Sequence, residues 1–215
     1  MGRRALRKID PRLDLSRHYF PWDETARPLP LDRILPSDGP LEVEVGSGKG
    51  MFLEHASART PGHRFLGIEL SRKYARYAAA RLAKAGRTNA IVVQGDALSV
   101  FKEGLHDRSV HAVHVYFPDP WWKKRHHKRR IMNCTFMREV LRALKPQGRL
   151  HFWTDVKEYF DLGLELLQSF DELTGPDFPP ERAPEHELDY RTHFERRIRL
   201  AGLPVYRSVF VRSGG

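Results

Sequence analysis

LEVEVGSGKGMFLEHASAR, residues 41–59, is the stretch of this 215-residue chain that decides its fold. Its first five residues alternate aliphatic side chains with glutamates, which predicts a β-strand. Gly46, Gly48 and Gly50 come next in the pattern GxGxG, and from Met51 onward the apolar residues recur at helical spacing. A strand, a glycine turn and a helix in this order form the opening unit of a doubly wound α/β fold.

The rest of the chain repeats this alternation of strand and helix. Strands are predicted at residues 64–69, 90–96, 109–117 and 149–155, and helices at 72–85, 97–101, 131–144 and 156–170. Residues 171–194 are rich in loop-forming residues, and residues 204–212 alternate as an antiparallel edge strand does. We therefore predict a Rossmann-like α/β fold: one doubly wound, mostly parallel sheet with helices on both faces and an antiparallel C-terminal strand.

Residues 1–40 differ in composition from the remainder of the chain. Prolines at positions 11, 21, 28, 30, 36 and 40 interrupt regular secondary structure. We predict an irregular, basic and Pro-rich arm over residues 1–40, attached through Tyr19-Phe20-Pro21-Trp22 to a main domain at residues 41–215.

Acidic side chains lie at or beside five successive predicted strand ends. They are Glu44, Glu69, Asp96, Asp119 and Asp155. Ligands of doubly wound folds bind beyond the carboxyl ends of the strands, so these acids are expected at one ligand-binding rim. A single acid there often caps the next helix, which would be enough to explain Asp96 or Asp155 alone, but not all five.

The glycine turn favours a ligand without phosphate. Met51 occupies the place of the third glycine of the dinucleotide fingerprint, and Glu44 would repel a pyrophosphate. A glycine turn lined by carboxylates suits a ligand with a positive amine and a ribose diol, and S-adenosylmethionine has both. In this interpretation Glu69 accepts hydrogen bonds from the ribose hydroxyls and Asp96 reaches the adenine amino group.

The stretch YFPDPWW at residues 116–122 combines one carboxylate with four aromatic side chains. The next eight residues, 123–130, include six lysines or arginines, and residues 1–12 carry a net charge of +4. Together these two segments account for the formal net charge of +10 of the whole chain. Charge concentrated in this way indicates a polyanionic partner such as a nucleic acid.

Several of these segments resemble one known family. VEVGSGKG (43–50), GIE (67–69), FPDPW (117–121) with the basic block after it, TD (154–155) and THFE (192–195) are similar to motifs of the bacterial tRNA (guanine-N7)-methyltransferases. The resemblance covers roughly residues 41–212. It implies a class I fold that depends on S-adenosylmethionine, and methylation of a guanine in the tRNA variable loop, usually at position 46.

The resemblance also implies residue roles. The methyl donor would be contacted by Glu44, Gly46, Gly48, Gly50, Glu69, Asp96 and Asp119, with Asp119 also the catalytic residue. The substrate nucleotide would be contacted by Lys123, Asp155, Thr192, His193, Phe194 and Glu195. The tRNA would be gripped by Lys124, Arg125, His126, His127, Lys128, Arg129 and Arg130.

The chain departs from the family pattern in the substrate pocket. Trp122 stands where the family has His or Pro, and His193 stands where it has Lys. Residues 196–198 read Arg-Arg-Ile where the family often has Arg-Gly. These departures concern the pocket and leave the class of enzyme unaffected.

The chemistry of guanine suggests how Asp119 would act. Guanine N7 carries a lone pair at neutral pH and becomes cationic on methylation, so no proton has to leave before attack. We therefore expect Asp119 to position donor or base rather than act as a general base. Trp121 and Tyr116 are expected to stack on a base that is extruded from the folded tRNA.

Other interpretations remain open. The chain is alternatively a class I methyltransferase of a different RNA base or of a small acidic molecule, or a non-catalytic RNA-binding protein on this scaffold. A nicotinamide oxidoreductase is disfavoured by Met51.

Partners and compartment are predicted from composition. We expect tRNA as partner, no membrane span and no metal, because His126-His127 lacks acidic or cysteine ligands at matching spacing. We also expect a monomer or weak homodimer in the cytoplasm. The single cysteine, Cys134, excludes an internal disulfide and is expected to be a buried thiol.

Overall fold

A computed structural model describes residues 6–35, 38–180 and 190–214. These residues form one sheet of eight strands in the order β1-β4-β3-β2-β5-β6-β8-β7. The strands are β1 (Tyr19–Pro21), β2 (Leu41–Val45), β3 (Arg64–Glu69), β4 (Ala90–Gln94), β5 (Val110–Tyr116), β6 (Leu144–Thr154), β7 (Leu173–Asp177) and β8 (Tyr206–Arg212).

Strands β1 to β6 run parallel to one another, and β8 is antiparallel to both of its neighbours, β6 and β7. The predicted mostly parallel sheet with an antiparallel C-terminal strand is therefore confirmed. Because β2 to β6 are parallel, their carboxyl ends meet at one edge of the sheet. We call this edge the rim.

Helices cover both faces of the sheet. They are α1 (Leu31–Ile34), α2 (Met51–Arg59), α3 (Arg72–Lys84), α4 (Ala97–Ser99), α5 (Cys134–Ala143), α6 (Lys157–Gln168) and α7 (His193–Leu200). A π-helical turn at Val100–Gly104 extends α4, and 3-10 helices occupy Trp22–Glu24 and Lys124–Arg129.

Alternate residues of each strand feed two separate apolar cores. In β4, Ile91 and Val93 belong to the core that includes residues of α5 and α6, whereas Val92 belongs to the core that includes residues of α2 and α3. Side chains of a strand point alternately to its two faces, so a β-strand covered by helices on both sides must be apolar throughout.

The N-terminal segment is more regular than predicted. Instead of an irregular arm, Tyr19–Pro21 forms the edge strand β1 beside β4. Pro21 is tolerated because an edge strand leaves one row of backbone groups unpaired. Trp22, which is 4% exposed, packs so closely on Gly95 that a Cβ at Gly95 would lie 2.6 Å from its Cβ. The expected aromatic attachment is thus found, while the domain boundary at residue 40 stays a prediction.

Two further predictions about local structure are wrong. Residues 204–212 do not form an edge strand, because β7, in the segment predicted to be loop, pairs with β8 on its far side. Cys134 is exposed rather than buried, because it is the first residue of α5, directly after the cap residue Asn133. In the described part of the chain, no helix is long and apolar enough to span a membrane.

Candidate active site

The glycine turn after β2 has a backbone that only glycine adopts readily. Gly46, Gly48 and Gly50 have φ angles of 79°, 52° and 70°. At Gly50 space is limiting as well, since a Cβ there would lie 2.7 Å from the Cβ of Ala78 in α3. The turn therefore brings bare backbone to the rim and allows α2 to pack against α3.

Glu69, at the end of β3, holds this turn in place. Its Oε2 accepts a hydrogen bond of 2.8 Å from the backbone N–H of Gly48, and its Oε1 accepts one of 2.8 Å from the N–H of Ser71. The predicted acid and the predicted glycines are therefore in direct contact. Each carboxylate oxygen has a second lone pair, so the same group is able to accept hydroxyl donors from a ligand.

Glu44 is the most unusual acid of the rim. Its side chain is only 2% exposed, and its Oε2 has no hydrogen-bond partner among the described residues. Burial and, less strongly, the charge of Glu69 raise the pKa of Glu44 to about 8, although a hydrogen bond from Ser47 lowers it in part. A buried carboxyl group with an unused oxygen beside open backbone suits a positively charged ligand group, which would favour its ionised form.

Asp96 lies at the next strand end and caps a helix. Its carboxylate accepts a hydrogen bond of 3.0 Å from the N–H of Ser99 in the first turn of α4, and the residue is exposed. Leu70, which was not among the predicted site residues, follows Glu69 directly and is 69% exposed. The sequence signal for Leu70 was an apolar residue immediately after the acid at a strand end. An exposed leucine at the rim offers an apolar surface to a flat ring of a ligand.

The loop that carries Asp119 is strained and firmly anchored. Phe117 and Trp121 have φ angles of 50° and 47°, which non-glycine residues rarely adopt. The N–H of Phe117 donates to the carbonyl of Trp153 in β6 at 2.8 Å. Between Phe117 and Trp121, Asp119 is exposed to solvent. The fold thus fixes the backbone around the carboxylate that was predicted to be catalytic.

Arg130 differs from the rest of the basic block. Its Nε donates a hydrogen bond of 2.7 Å to the carbonyl of Pro120, and its guanidinium lies 5.1 Å from the ring centroid of Tyr159. It therefore supports the loop of Asp119 from within the chain. In contrast, Lys124, Arg125, His127, Lys128 and Arg129 are exposed.

Tyr116, predicted to stack on a base, is unavailable for that role. It is 6% exposed, and its ring packs against Phe52 and Trp153 at centroid distances of 5.2 and 5.0 Å. Its hydroxyl lies 2.8 Å from Nδ1 of His114, which is also buried. The strand alternation that puts Val113 and Val115 in one core puts Tyr116 in the other.

His114 belongs to a polar network that joins β5 and β2 to the residue just before β3. Its Nε2 lies 2.7 Å from Oε2 of Glu42, whose Oε1 lies 2.6 Å from Nδ1 of His63. Burial raises the pKa of Glu42, but the hydrogen bonds and charges of the two histidines lower it to about 2. Since an ionised carboxylate only accepts, His114 carries its proton on Nε2 and accepts from the Tyr116 hydroxyl at Nδ1.

Thr192 and Glu195 organise the start of α7. The Thr192 hydroxyl accepts a hydrogen bond of 3.0 Å from the N–H of Glu195, and Glu195 Oε2 accepts one of 2.6 Å from the N–H of Arg191. The buried Glu195 carboxylate also faces Arg199 and Arg207 at 3.5 and 3.4 Å. Thr192 and Glu195 therefore shape the helix start that the sequence assigned to substrate binding.

The other predicted residues of this region lie nearer the surface. His193 is exposed, and its Nε2 is 2.9 Å from Nη2 of Arg81. Partial desolvation and the neighbouring cations Arg81 and Lys49 lower the pKa of His193 to about 4. Phe194 packs on Phe117 with ring centroids 5.1 Å apart, which joins α7 to the loop of Asp119. Lys123 is exposed and Asp155 half-buried.

Comparison with known proteins places this chain in one family. Residues 38–208 match the family model Methyltransf_4, "Putative methyltransferase". A tRNA (guanine-N(7)-)-methyltransferase of Rhodopirellula baltica is 49% identical over 217 residues, which cover 96% of this chain and 79% of that protein. One of Neisseria gonorrhoeae is 37% identical over 199 residues, which cover 91% of this chain and 81% of that protein.

Solved structures share the fold at low sequence identity. The antibiotic-resistance methyltransferase Kmr has a TM-score of 0.58 and 15% identity, covering 86% of this chain and 92% of its own. A SAM dependent methyltransferase of Aquifex aeolicus has a TM-score of 0.54 and 17% identity, covering 85% and 87%. The solved structures show that the fold is shared, whereas the two relatives show the family. The chain belongs to the tRNA (guanine-N7)-methyltransferase family.

Proposed function

We propose that this protein transfers the methyl group of S-adenosylmethionine to N7 of a guanine in tRNA. The observation that carries the proposal is the meeting of two sites on one rim. β2 and β5 are adjacent parallel strands, so the glycine turn with Glu44 and the loop of Asp119 with its basic block leave the sheet side by side. The glycine turn with Glu44 suits a cationic nucleoside, and the basic block suits a polyanion. The name of the 49% identical relative combines methyl transfer with tRNA.

The residues around the glycine turn suit S-adenosylmethionine as methyl donor. The unpartnered Oε2 of buried Glu44 favours a positive group nearby, and Glu69 has lone pairs for the two ribose hydroxyls. Exposed Leu70 offers an apolar surface to the adenine ring, with Asp96 at the next strand end to accept from its amino group. When bound, the donor supplies an electrophilic methyl group on a sulfonium.

The residues near Asp119 would hold the guanine. N7 already has a free lone pair, so catalysis consists mainly of aligning it with the methyl group. Asp119 fits this task because the strained but anchored backbone from Phe117 to Trp121 fixes its position. A carboxylate there also stabilises the positive charge that develops on the base.

The remainder of the nucleotide pocket is formed by residues on either side of this loop. Lys123 and Asp155 leave the rim after β5 and β6, and Phe194 contacts Phe117 from α7. Thr192 and Glu195 contribute by holding the start of α7, with His193 beside them. The exposed cations from Lys124 to Arg129 bind tRNA phosphates. We propose guanine 46 of the variable loop as the target, extruded from its stack to reach the rim.

The test is a methylation assay with position mapping. Purified protein is incubated with labelled S-adenosylmethionine and two tRNA transcripts, one unaltered and one with adenine in place of guanine 46. We expect 7-methylguanosine in the first transcript only. Methylation of another base would favour the alternative of a different RNA methyltransferase, and binding of tRNA without methyl transfer would favour a non-catalytic RNA-binding protein.

The variant Asp119→Asn tests the role of the Asp119 carboxylate in the same methylation assay. The amide keeps the shape of the side chain and removes its charge, so we expect methyl transfer to fall by at least about a hundredfold while the fold is retained. Turnover close to that of the wild-type protein would remove Asp119 from the chemistry.

A further inference from the structure

Trp122 is an exposed aromatic side chain at the rim. It is 66% exposed, whereas Trp22 and Trp153 are buried and Trp121 is half-buried. A single exposed apolar side chain is ordinary on a protein surface, so the role of Trp122 is inferred from the residues around it.

The aromatic neighbours of Trp122 are already occupied by contacts within the chain. Tyr116 is enclosed by Phe52, Trp153 and His114. The Trp121 ring carries the guanidinium of Arg129 at 5.1 Å from its centroid, and the His126 ring meets it edge-on at 5.7 Å. Trp122 is therefore the tryptophan of this loop with most of its surface open to a ligand.

The residues around Trp122 favour a nucleic acid as the ligand of its exposed ring. Lys123, Lys124, Arg125, Lys128 and Arg129 come within seven residues after it, and all five are exposed. No acidic residue lies between Trp121 and Arg138. A flat apolar ring next to a dense cationic surface is complementary to a base and its phosphates.

We propose that Trp122 is a stacking platform for an unpaired base of tRNA. The proposal rests on the function proposed above and assigns the base-stacking role to Trp122 in place of Tyr116 and Trp121. The cations of residues 123–129 neutralise the phosphates, and Trp122 covers the face of a base that has left the helical stack. Stacking adds affinity without adding charge, because every base has a π-face.

The distinguishing experiment separates stacking from phosphate binding. The tRNA dissociation constants of wild type, Trp122→Phe and Trp122→Ala are measured across a series of salt concentrations. We expect Trp122→Ala to raise the dissociation constant about 5- to 150-fold and Trp122→Phe to raise it less. The slope of its logarithm against the logarithm of salt should stay unchanged, because no phosphate contact is lost.

Two control variants define the background. Leu162→Ala removes an exposed apolar side chain from α6 and should leave tRNA binding unaffected. Lys145→Gln removes one exposed charge at the opposite edge of the sheet, where β6 begins.

Fluorescence provides a readout independent of catalysis. Trp122 is the most exposed tryptophan, so acrylamide should quench it preferentially, and tRNA should protect it. Trp122→Phe should lack this protected component. Stacking is refuted if Trp122→Ala binds tRNA with a dissociation constant within twofold of the wild-type value. It is also refuted if protection of Trp122 from acrylamide grows with protein concentration in the absence of tRNA, because a second copy of the chain would then cover the ring. Failure of the proposed methyl transfer would be seen separately, in the wild-type methylation assay.

Discussion

Glu44→Gln tests the unusual protonation of the buried acid. The Gln side chain has the shape of the protonated carboxyl group but no proton to lose. In the wild-type protein the carboxyl is 2% exposed, and one oxygen has no hydrogen-bond partner among the described residues. Ionising it in the folded state therefore means placing an unpaired charge in the interior.

The size and sign of the effect are set by the pKa. Burial raises the pKa of Glu44 from 4.5 to about 8. Between these values the folded state keeps a proton that the unfolded state releases, so the free energy of unfolding falls as pH rises and levels off above pH 8. At about 1.4 kcal/mol per pH unit, the total loss is up to about 5 kcal/mol. In the Glu44→Gln variant, the free energy of unfolding should lack this decrease with pH.

The assay is urea unfolding of both proteins at a series of pH values from 5 to 9, without ligand. Subtracting the variant from the wild type removes the titration of other groups, including histidines whose folded pKa is lowered, such as His114 and His151. We expect the wild type to lose several kcal/mol relative to the variant between pH 5 and pH 8. Two parallel curves would refute the reasoning, because the carboxyl would then be ionised in both states.

Four further outcomes are expected. Binding of S-adenosylmethionine at pH 7 should release close to one proton, seen by calorimetry in two buffers of different ionisation enthalpy, and Glu44→Gln should abolish this release. Tyr116→Phe removes the donor to buried His114 and should lower the free energy of unfolding by about 1–3 kcal/mol in urea. Gly50→Ala should lower the melting temperature more than Gly86→Ala. Both glycines have positive φ, but only at Gly50 would the added Cβ lie 2.7 Å from the Cβ of Ala78. Equal decreases in melting temperature would contradict this packing argument. Glu195→Gln should cost about 3–5 kcal/mol by leaving the arginines that face it without their carboxylate, and a loss under about 1 kcal/mol would show that these pairs add little.

Local sequence was sufficient for the parts of the structure that depend on local chemistry. The glycine turn and the strand ending at Glu69 were predictable because glycine spacing and strand alternation are visible within ten residues. Their direct hydrogen bond is a result of the doubly wound topology, which brings successive strand ends to one edge. The predicted start of the helix at residue 72 is confirmed by α3, although the side chain of Ser71 before it makes no capping hydrogen bond.

Other features depend on partners that are distant in the sequence. The Glu42, His63 and His114 network needs the registers of β2, β3 and β5, which no single window contains. The inward turn of Arg130 needs the carbonyl of Pro120 at the right distance, and its residue type is the same as that of its exposed neighbours. Strand β1 is too short to give a pattern, and Pro21 argues against a strand until β4 is known to lie beside it.

The position of β8 has a consequence for folding during synthesis. β8 is the last strand in the sequence, yet it pairs with β6 on one side and β7 on the other. Strands β1 to β5 are able to pair as soon as residue 116 is available, whereas β6 keeps an open edge until residues 206–212 are made. The half with the glycine turn can thus assemble first, and the half that bears α7 closes last. A chain that stops before residue 206 would expose two strand edges, which invites aggregation.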